Sequence, residues 1–423
     1  MDKLAILGGT PVLQQPFPAY NSVSQEELDR VVRVMQSGCL SAFYGSWRDE
    51  FFGGEMVRTF EKAWSQRFQV QHTISVNSAT SGLFAAMGAI GIGPGDEVIV
   101  PPYTMSATAM APLIYGGIPV FADIDPETFC LDPQAVKKAL TPRTKAILAV
   151  NLFGQPAPLA ELMRLAQEHD LKLVEDNAQG PLAMENGRYA GTVGHIGIFS
   201  LNYHKHIHTG EGGMCVTNDD TLALRLQLIR NHAESCVEDL GMQDLTNLVG
   251  FNYRMTELSA AVGIEQLKKI DYHVTRREYL AQRLSKGIEG LPGLTPPQVR
   301  PQCRHVYYVW AVRFDENLVG VSREQFSKAL TAEGVPHFTG YVRPLYLLPL
   351  FQQRVALGSK GYPFNLSSAK YDRGLCPVTE RLWSKELLGF ETCMHHIDAE
   401  QLDLIIEAIH KVYAQRHALA QLT

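Results

Sequence analysis

Between residues 73 and 217 short apolar runs alternate with helical patterns, and no other feature limits the possible folds so sharply. Strands are predicted at 73–76, 97–100, 118–122, 146–150, 172–175, 197–201 and 214–217, with helix-like stretches at 81–90, 106–115 and 159–169. Apolar runs of this length separated by helices imply βαβ units and a mostly parallel sheet covered on both faces, an α/β fold. After Asn252 the rhythm changes. Helices at 256–267 and 276–287, a strand at 306–314 and a closing helix at 399–416 predict a smaller α+β unit, with proline-rich 291–301 as a surface connection. A chain of 423 residues is long for one core. The expected division is a large domain over 1–270 and a small one over 271–423.

Charge and composition remove several function classes. The net charge is −6 and no basic run occurs, so nothing argues for a nucleic-acid partner. The first residues lack the basic region and apolar core of a signal peptide, and no run approaches the ~18 apolar residues that span a bilayer. Seven scattered cysteines, Cys393 among them, show no Cys-x-x-Cys spacing, which argues against a disulfide framework and a zinc site. The expectation is a cytoplasmic protein with no membrane partner and no metal.

In open α/β sheets ligands bind where the carboxyl ends of strands lead into helices. Four polar loops fall at such positions: 77–81, 101–105, 176–179 and 199–213. Lys205, in the last of them, sits among His204, His206 and His208 and precedes Gly210, Gly212 and Gly213, where backbone approaches a ligand closely. Asp176 directly follows a strand. A lone aspartate there is usually a helix cap, but its place one βαβ step before Lys205 suggests more. Pyridoxal phosphate chemistry needs a lysine imine at one end of the ring and an acid on the ring nitrogen. Strand alternation turns Glu175 to the opposite sheet face, leaving Asp176 as the better partner. Ser78, Ala79 and Thr80 open a helix and offer amides and hydroxyls to a phosphate, although such a cluster is more often an N-cap. Ser200 adds a further hydroxyl.

Four motifs in order carry a resemblance to a known family: Gly95-Asp-Glu-Val-Ile-Val-Pro-Pro102, Val174-Glu-Asp-Asn-Ala-Gln179, Thr209-Gly-Glu-Gly-Gly-Met-Cys-Val-Thr-Asn-Asp219 and Gly250-Phe-Asn-Tyr-Arg-Met-Thr-Glu-Leu258. Over roughly residues 25 to 415 the chain resembles the DegT/StrS family, fold-type I pyridoxal-phosphate aminotransferases acting on keto sugars and keto cyclitols. The resemblance implies a large domain with a seven-stranded, mostly parallel sheet and a smaller C-terminal α+β domain. It implies that Lys205 forms the internal aldimine, Asp176 pairs with the pyridine nitrogen and Gln179 lies against the ring oxygen. Ala79, Thr80 and Ser200 would hold the phosphate. Asn252 would reach the phosphate of a neighbouring subunit, which implies a homodimer with shared active sites.

Three positions depart from the family pattern. Met105 stands where an aromatic ring-stacker is usual; its polarisable sulfur can pack on a ring, with Tyr103 as the alternative. Ala79 replaces a common glycine, and Asn202-Tyr-His204 replaces the usual residues before the lysine, near the incoming substrate. The implied reaction is a ping-pong transamination from glutamate or glutamine to a keto sugar, nucleotide-linked or free, or a keto cyclitol. The rivals are a sugar dehydratase of the same family, with histidine at the lysine position, and a noncatalytic regulatory relative. The opening residues and the 376–380 and 395–396 segments lean towards free cyclic ketones, while Arg343, Tyr346 and Arg381 are candidates to meet a phosphate. The aromatic 41–54 segment reads equally as a lid or as interface packing.

Overall fold

The computed structural model describes residues 2–390 and 394–421. All seven expected strands form: β1 (His72–Val76), β2 (Glu97–Val100), β3 (Ile118–Phe121), β4 (Thr144–Val150), β5 (Lys172–Asp176), β6 (Ile196–Ser200) and β7 (Gly213–Thr217). They lie in the order β1-β7-β6-β5-β4-β2-β3, with β7 alone antiparallel to its neighbours. Consecutive strand residues enter different cores, as a period of two requires. Ile147, Leu173 and Phe199 face the helices Glu55–Phe68, Leu159–Glu168 and Glu257–Lys268. Leu148, Val174 and Ile198 face Ala79–Ala89 and Asp220–Arg230. Near-continuous burial along these strands is the mark of a sheet covered on both faces.

A second sheet, β8 (Leu294–Thr295), β9 (Trp310–Phe314), β10 (Phe338–Thr339) and β11 (Leu387–Phe390), is antiparallel in the order β8-β9-β11-β10. It shares a third core with the closing helix Ala399–Ala414. The cores do not follow one cut of the chain at 270. Helix Ile270–Gly287 starts in the large core with Ile270 and Val274 and ends in the small one with Leu280 and Leu284. Leu4 and Leu13 pack in the small core, tied there by the buried Glu333 carboxylate, which accepts from Ala5 N at 2.9 Å and Val12 N at 3.0 Å. Leu345, Tyr346 and Phe351 return to the large sheet.

Two elements differ from expectation for local reasons. The 106–115 stretch breaks into helix Ala107–Met110 and a 3₁₀ turn Pro112–Tyr115, because Pro112 has no amide to continue the helical ladder. The strand expected over 306–314 begins only at Trp310, because residues 306–309 bond instead to the loop at Phe153 and Gly154. The six described cysteines are free thiols, and Cys393 lies outside the described residues. Among the described residues no helix is long and apolar enough to cross a membrane.

Candidate active site

Parallel strands bring their carboxyl ends to one edge, so β1, β2, β5 and β6 deliver their loops together. Ser78, Ala79, Thr80, Met105, Asp176, Gln179, Ser200 and Lys205 line one cleft of about 230 Å³ there. Lys205 rises from the turn after β6, closed by Lys205 N donating to Asn202 O (2.9 Å) and Thr209 N to Leu201 O (2.9 Å). Its backbone carbonyl accepts from the buried Arg277 guanidinium at 3.2 Å. The side chain is 9% exposed, with Nζ 4.2 Å from the centre of the Tyr308 ring.

Asp176 ends β5 inside the cleft. Its Oδ2 accepts from Thr108 Oγ1 at 2.8 Å and its Oδ1 from Ala178 N at 3.2 Å. Burial raises its pKa, since a desolvated carboxylate resists ionisation; the Thr108 and Ala178 hydrogen bonds and the Lys205 charge pull it back. Glu175 faces away, as alternation predicts. Its carboxylate accepts from Gly191, Val193 and Gly194 amides at 2.5–2.7 Å, which makes it a brace for that loop.

The cleft is also lined by a helix N-terminus. Ser78 caps helix Ala79–Ala89, its Oγ accepting from Ser81 N at 3.1 Å. The first amides of a helix have no partner within it and carry partial positive charge. Register makes this approach possible: Gly213 of β7 pairs with both Val76 and Ser200. A Cβ on Gly213 would lie 2.7 Å from Ala79 N and 2.8 Å from Ser78 C. Only glycine lets the helix start this close to the end of β6.

Gln179 is fixed from both ends, accepting from Phe153 N at 2.8 Å and donating to Tyr341 Oη at 3.0 Å. Of the two candidates for the cofactor's ring face, Met105 lines the cleft and is 61% exposed. Tyr103 is fully buried, and its hydroxyl donates to Gly340 O at 2.9 Å. Asn252 is exposed and outside its own chain's cleft lining. Its side chain accepts from Arg254 Nε at 2.8 Å, and its carbonyl lies 3.4 Å from Asn77 Nδ2.

The three histidines around Lys205 separate. His204 alone lines the cleft, its pKa lowered to about 4 by burial and by the Lys205 and Arg277 charges. His206 is fully buried, bonded through Nε2 to Val306 O at 2.8 Å, and burial pushes its pKa far down. His208 takes the Gly210 amide at 3.3 Å. Tyr346 is buried, its hydroxyl donating to Glu380 at 2.5 Å, and Arg381 pairs with Glu386 at 2.9 Å; neither lines this cleft. The 41–54 segment also lies off the cleft, held where Asn231 Nδ2 donates to Tyr44 O and Phe51 O.

Sequence alone gives no role to Thr108, Tyr308, Tyr341 or Glu211. Thr108 sits in the short helix Ala107–Met110 after β2, where a hydroxyl so near a strand end is a local signal. Tyr308 and Tyr341 arrive from the far end of the chain and carry no local signal. Pyridoxal phosphate fits this arrangement. A buried carboxylate with donors on both oxygens, a helix N-terminus that only glycine lets approach and a lysine amine all line one cleft.

Comparison with known proteins agrees with this geometry. The profile of the DegT/DnrJ/EryC1/StrS aminotransferase family matches residues 21–410. The chain is 35% identical over 415 residues to L-glutamine:2-deoxy-scyllo-inosose aminotransferase of Streptoalloteichus tenebrarius, covering 94% of this chain and 96% of that one. It is 38% identical over 297 residues to GDP-perosamine synthase of Caulobacter vibrioides, covering 70% and 78%. The aminotransferase structure from Psychrobacter cryohalolentis superposes with a TM-score of 0.83 at 30% identity, covering 95% of this chain and all of that one.

Proposed function

The chain belongs to the DegT/DnrJ/EryC1/StrS aminotransferase family and is a pyridoxal-phosphate-dependent aminotransferase, and from that premise we propose that it moves the amino group of glutamine to the ring ketone of an uncharged, polyhydroxylated acceptor, a keto cyclitol of the inosose kind. The observation that carries this reading is the lining of the cleft. Among the described residues its lining contains no arginine; Lys205 is the cation there, and Asp176 and Glu211 are carboxylates. A nucleotide diphosphate would meet little positive charge, whereas ring hydroxyls would meet Asn202, His204 and Glu211, groups suited to hydrogen bonding. Relatives named for inosose substrates match this chain over nearly its whole length, which supports the same reading and glutamine as donor.

When bound, pyridoxal phosphate supplies a carbonyl carbon that takes up amino groups and a protonated ring that withdraws electrons from the substrate's Cα. Asp176 would accept from the ring N–H and keep that proton in place. Gln179, held between Phe153 N and Tyr341 Oη, would lie against the ring. The helix amides at Ala79 and Thr80, with the Ser200 hydroxyl, would hold the phosphate. Lys205 Nζ takes the Cα proton of the amino donor, and in the return half-reaction delivers a proton to the former ketone carbon. Such a positioned acid–base group contributes typically ~10²- to 10⁴-fold. His204, uncharged at neutral pH, offers the acceptor a hydrogen bond without a second cation. The two half-reactions share one site, hence ping-pong kinetics.

The exposed Asn252 supports a homodimer in which it serves the partner's site. A second acceptor class, a nucleotide-linked keto sugar, draws support from the 38% identity to GDP-perosamine synthase. Presenting glutamine and glutamate with scyllo-inosose-type ketones and with nucleotide-linked 4-keto sugars decides between them. Turnover confined to the nucleotide sugars rejects the cyclitol reading. A product lacking a hydroxyl and gaining no nitrogen would instead identify a dehydratase.

A further inference from the structure

The segment from His305 to Val309 leads into β9, yet it is held at the cleft. Val306 N donates to Gly154 O at 2.9 Å and Tyr308 N to Phe153 O at 2.7 Å, while His206 bonds Val306 O at 2.8 Å. Gly154 permits the approach, since a Cβ there would lie 2.9 Å from Tyr307 N. Three aromatic residues of this wall have left-handed backbone: Phe153 (φ 57°), Tyr307 (φ 47°) and Tyr341 (φ 47°). Bulky residues adopt that conformation only when their surroundings dictate it. Here it fixes one ring. Tyr308, 7% exposed, presents its face 4.2 Å from Lys205 Nζ.

Two imidazoles stand near the same ring. The rings of His204 and His206 stand 6.0 Å and 6.3 Å from the Tyr308 ring, and burial keeps both uncharged. The lysine backbone is itself pinned, its carbonyl held by Arg277. A desolvated ammonium over an aromatic face is attracted by the ring quadrupole, more strongly than in water.

We infer that the face of Tyr308 is the resting seat of the Lys205 amine, occupied whenever that amine is not bonded to cofactor. The first half-reaction would free this amine and the end of the second would bond it again, and in between a flexible lysine would otherwise sample rotamers away from the reacting carbon. Tyr308 is thus a positioning residue that acts through Lys205. The seat rests on Lys205 being the cofactor-bearing lysine for its role, but not for its geometry.

The test uses the full-length protein loaded with pyridoxamine phosphate, in which the lysine amine is unbonded. Trace acylation at neutral pH is read by mass spectrometry of the Lys205 peptide against the other lysines. Tyr308→Leu is expected to speed labelling of Lys205 by about 3- to 30-fold, the range a cation–aromatic contact supports, and Tyr308→Phe to leave it near wild type. Successive fluorination of the phenylalanine ring at 308 drains its quadrupole at nearly constant shape, so labelling should rise step by step; this series carries the test alone if Tyr308→Leu fails to fold. A change below threefold in the leucine variant, or no grading with fluorination, overturns the inference. Borohydride trapping of pyridoxal phosphate followed by peptide mapping checks separately which lysine bears the cofactor. Trapping elsewhere would remove the role assigned to Lys205 while leaving the labelling result to judge the seat.

Discussion

Thr108 offers the most direct test of how the acid end of the cleft works. Its hydroxyl is fully buried and donates to Asp176 Oδ2 at 2.8 Å. Burial raises the Asp176 pKa, and this hydrogen bond is the largest influence pulling it back. A hydrogen bond to a charged group contributes about 1.5–3 kcal/mol net. At ~1.4 kcal/mol per tenfold, Thr108→Val should weaken pyridoxal phosphate binding by about 10- to 150-fold. The sign with pH follows. The lost donor favoured the carboxylate, so without it the Asp176 pKa rises further and protonation begins at higher pH. The acid limb of cofactor affinity therefore moves upward in pH, while Thr108→Ser keeps the donor and stays near wild type. Titrating the apoprotein with cofactor across the weakly acidic to neutral range measures both effects. A valine variant that binds within twofold of wild type, with an unmoved acid limb, refutes the assignment of Asp176 as the group that holds the ring proton.

Replacing Lys205 by Ala should lower turnover by ~10²-fold or more, and borohydride should no longer fix cofactor to the chain. Gly213→Ala puts a methyl against Ser78 and Ala79 backbone; overpacking of this kind costs about 1–3 kcal/mol, so cofactor affinity measured by titration should fall about tenfold with the fold retained. The buried histidines His206, His273 and His305 have pKa values lowered by burial, the last two to about 4 and about 3. In the unfolded chain they take protons near pH ~6.5, so the unfolded state binds more protons and stability falls as pH drops below that value. Three such groups give a slope of up to about 4 kcal/mol per pH unit. Denaturant midpoints that stay flat between neutral pH and weakly acidic pH would contradict this.

Much of the cleft was legible in the chain because its parts are local to strand ends. Asp176, Ser78 and Lys205 each follow an apolar run that can only be a buried strand, and a parallel sheet must bring such ends to one edge. Met105 and Tyr103, two residues apart, were indistinguishable by that logic. They part because the turn after β2 buries Tyr103 against Gly340 and leaves Met105 at the cleft. The three histidines part in a similar way. Neighbours in sequence, they point in different directions from a tight turn, and only His204 reaches the cleft.

The sequence by itself determined the βαβ order, the residue types at each strand end and the family. Periodicity and motif spacing are local properties, and the parallel sheet converts them into position with little freedom. Tertiary structure alone decided what surrounds Lys205 and Asp176. Tyr308, Tyr341 and Arg277 come from separate elements, and nothing local marks them. They meet the site through hydrogen bonds such as Tyr308 N to Phe153 O, through left-handed backbone at Phe153, Tyr307 and Tyr341, and through a helix that crosses between cores. Burial, which raises the Asp176 pKa and lowers that of His204, belongs to the packed molecule, because desolvation exists only once those distant segments have closed around them.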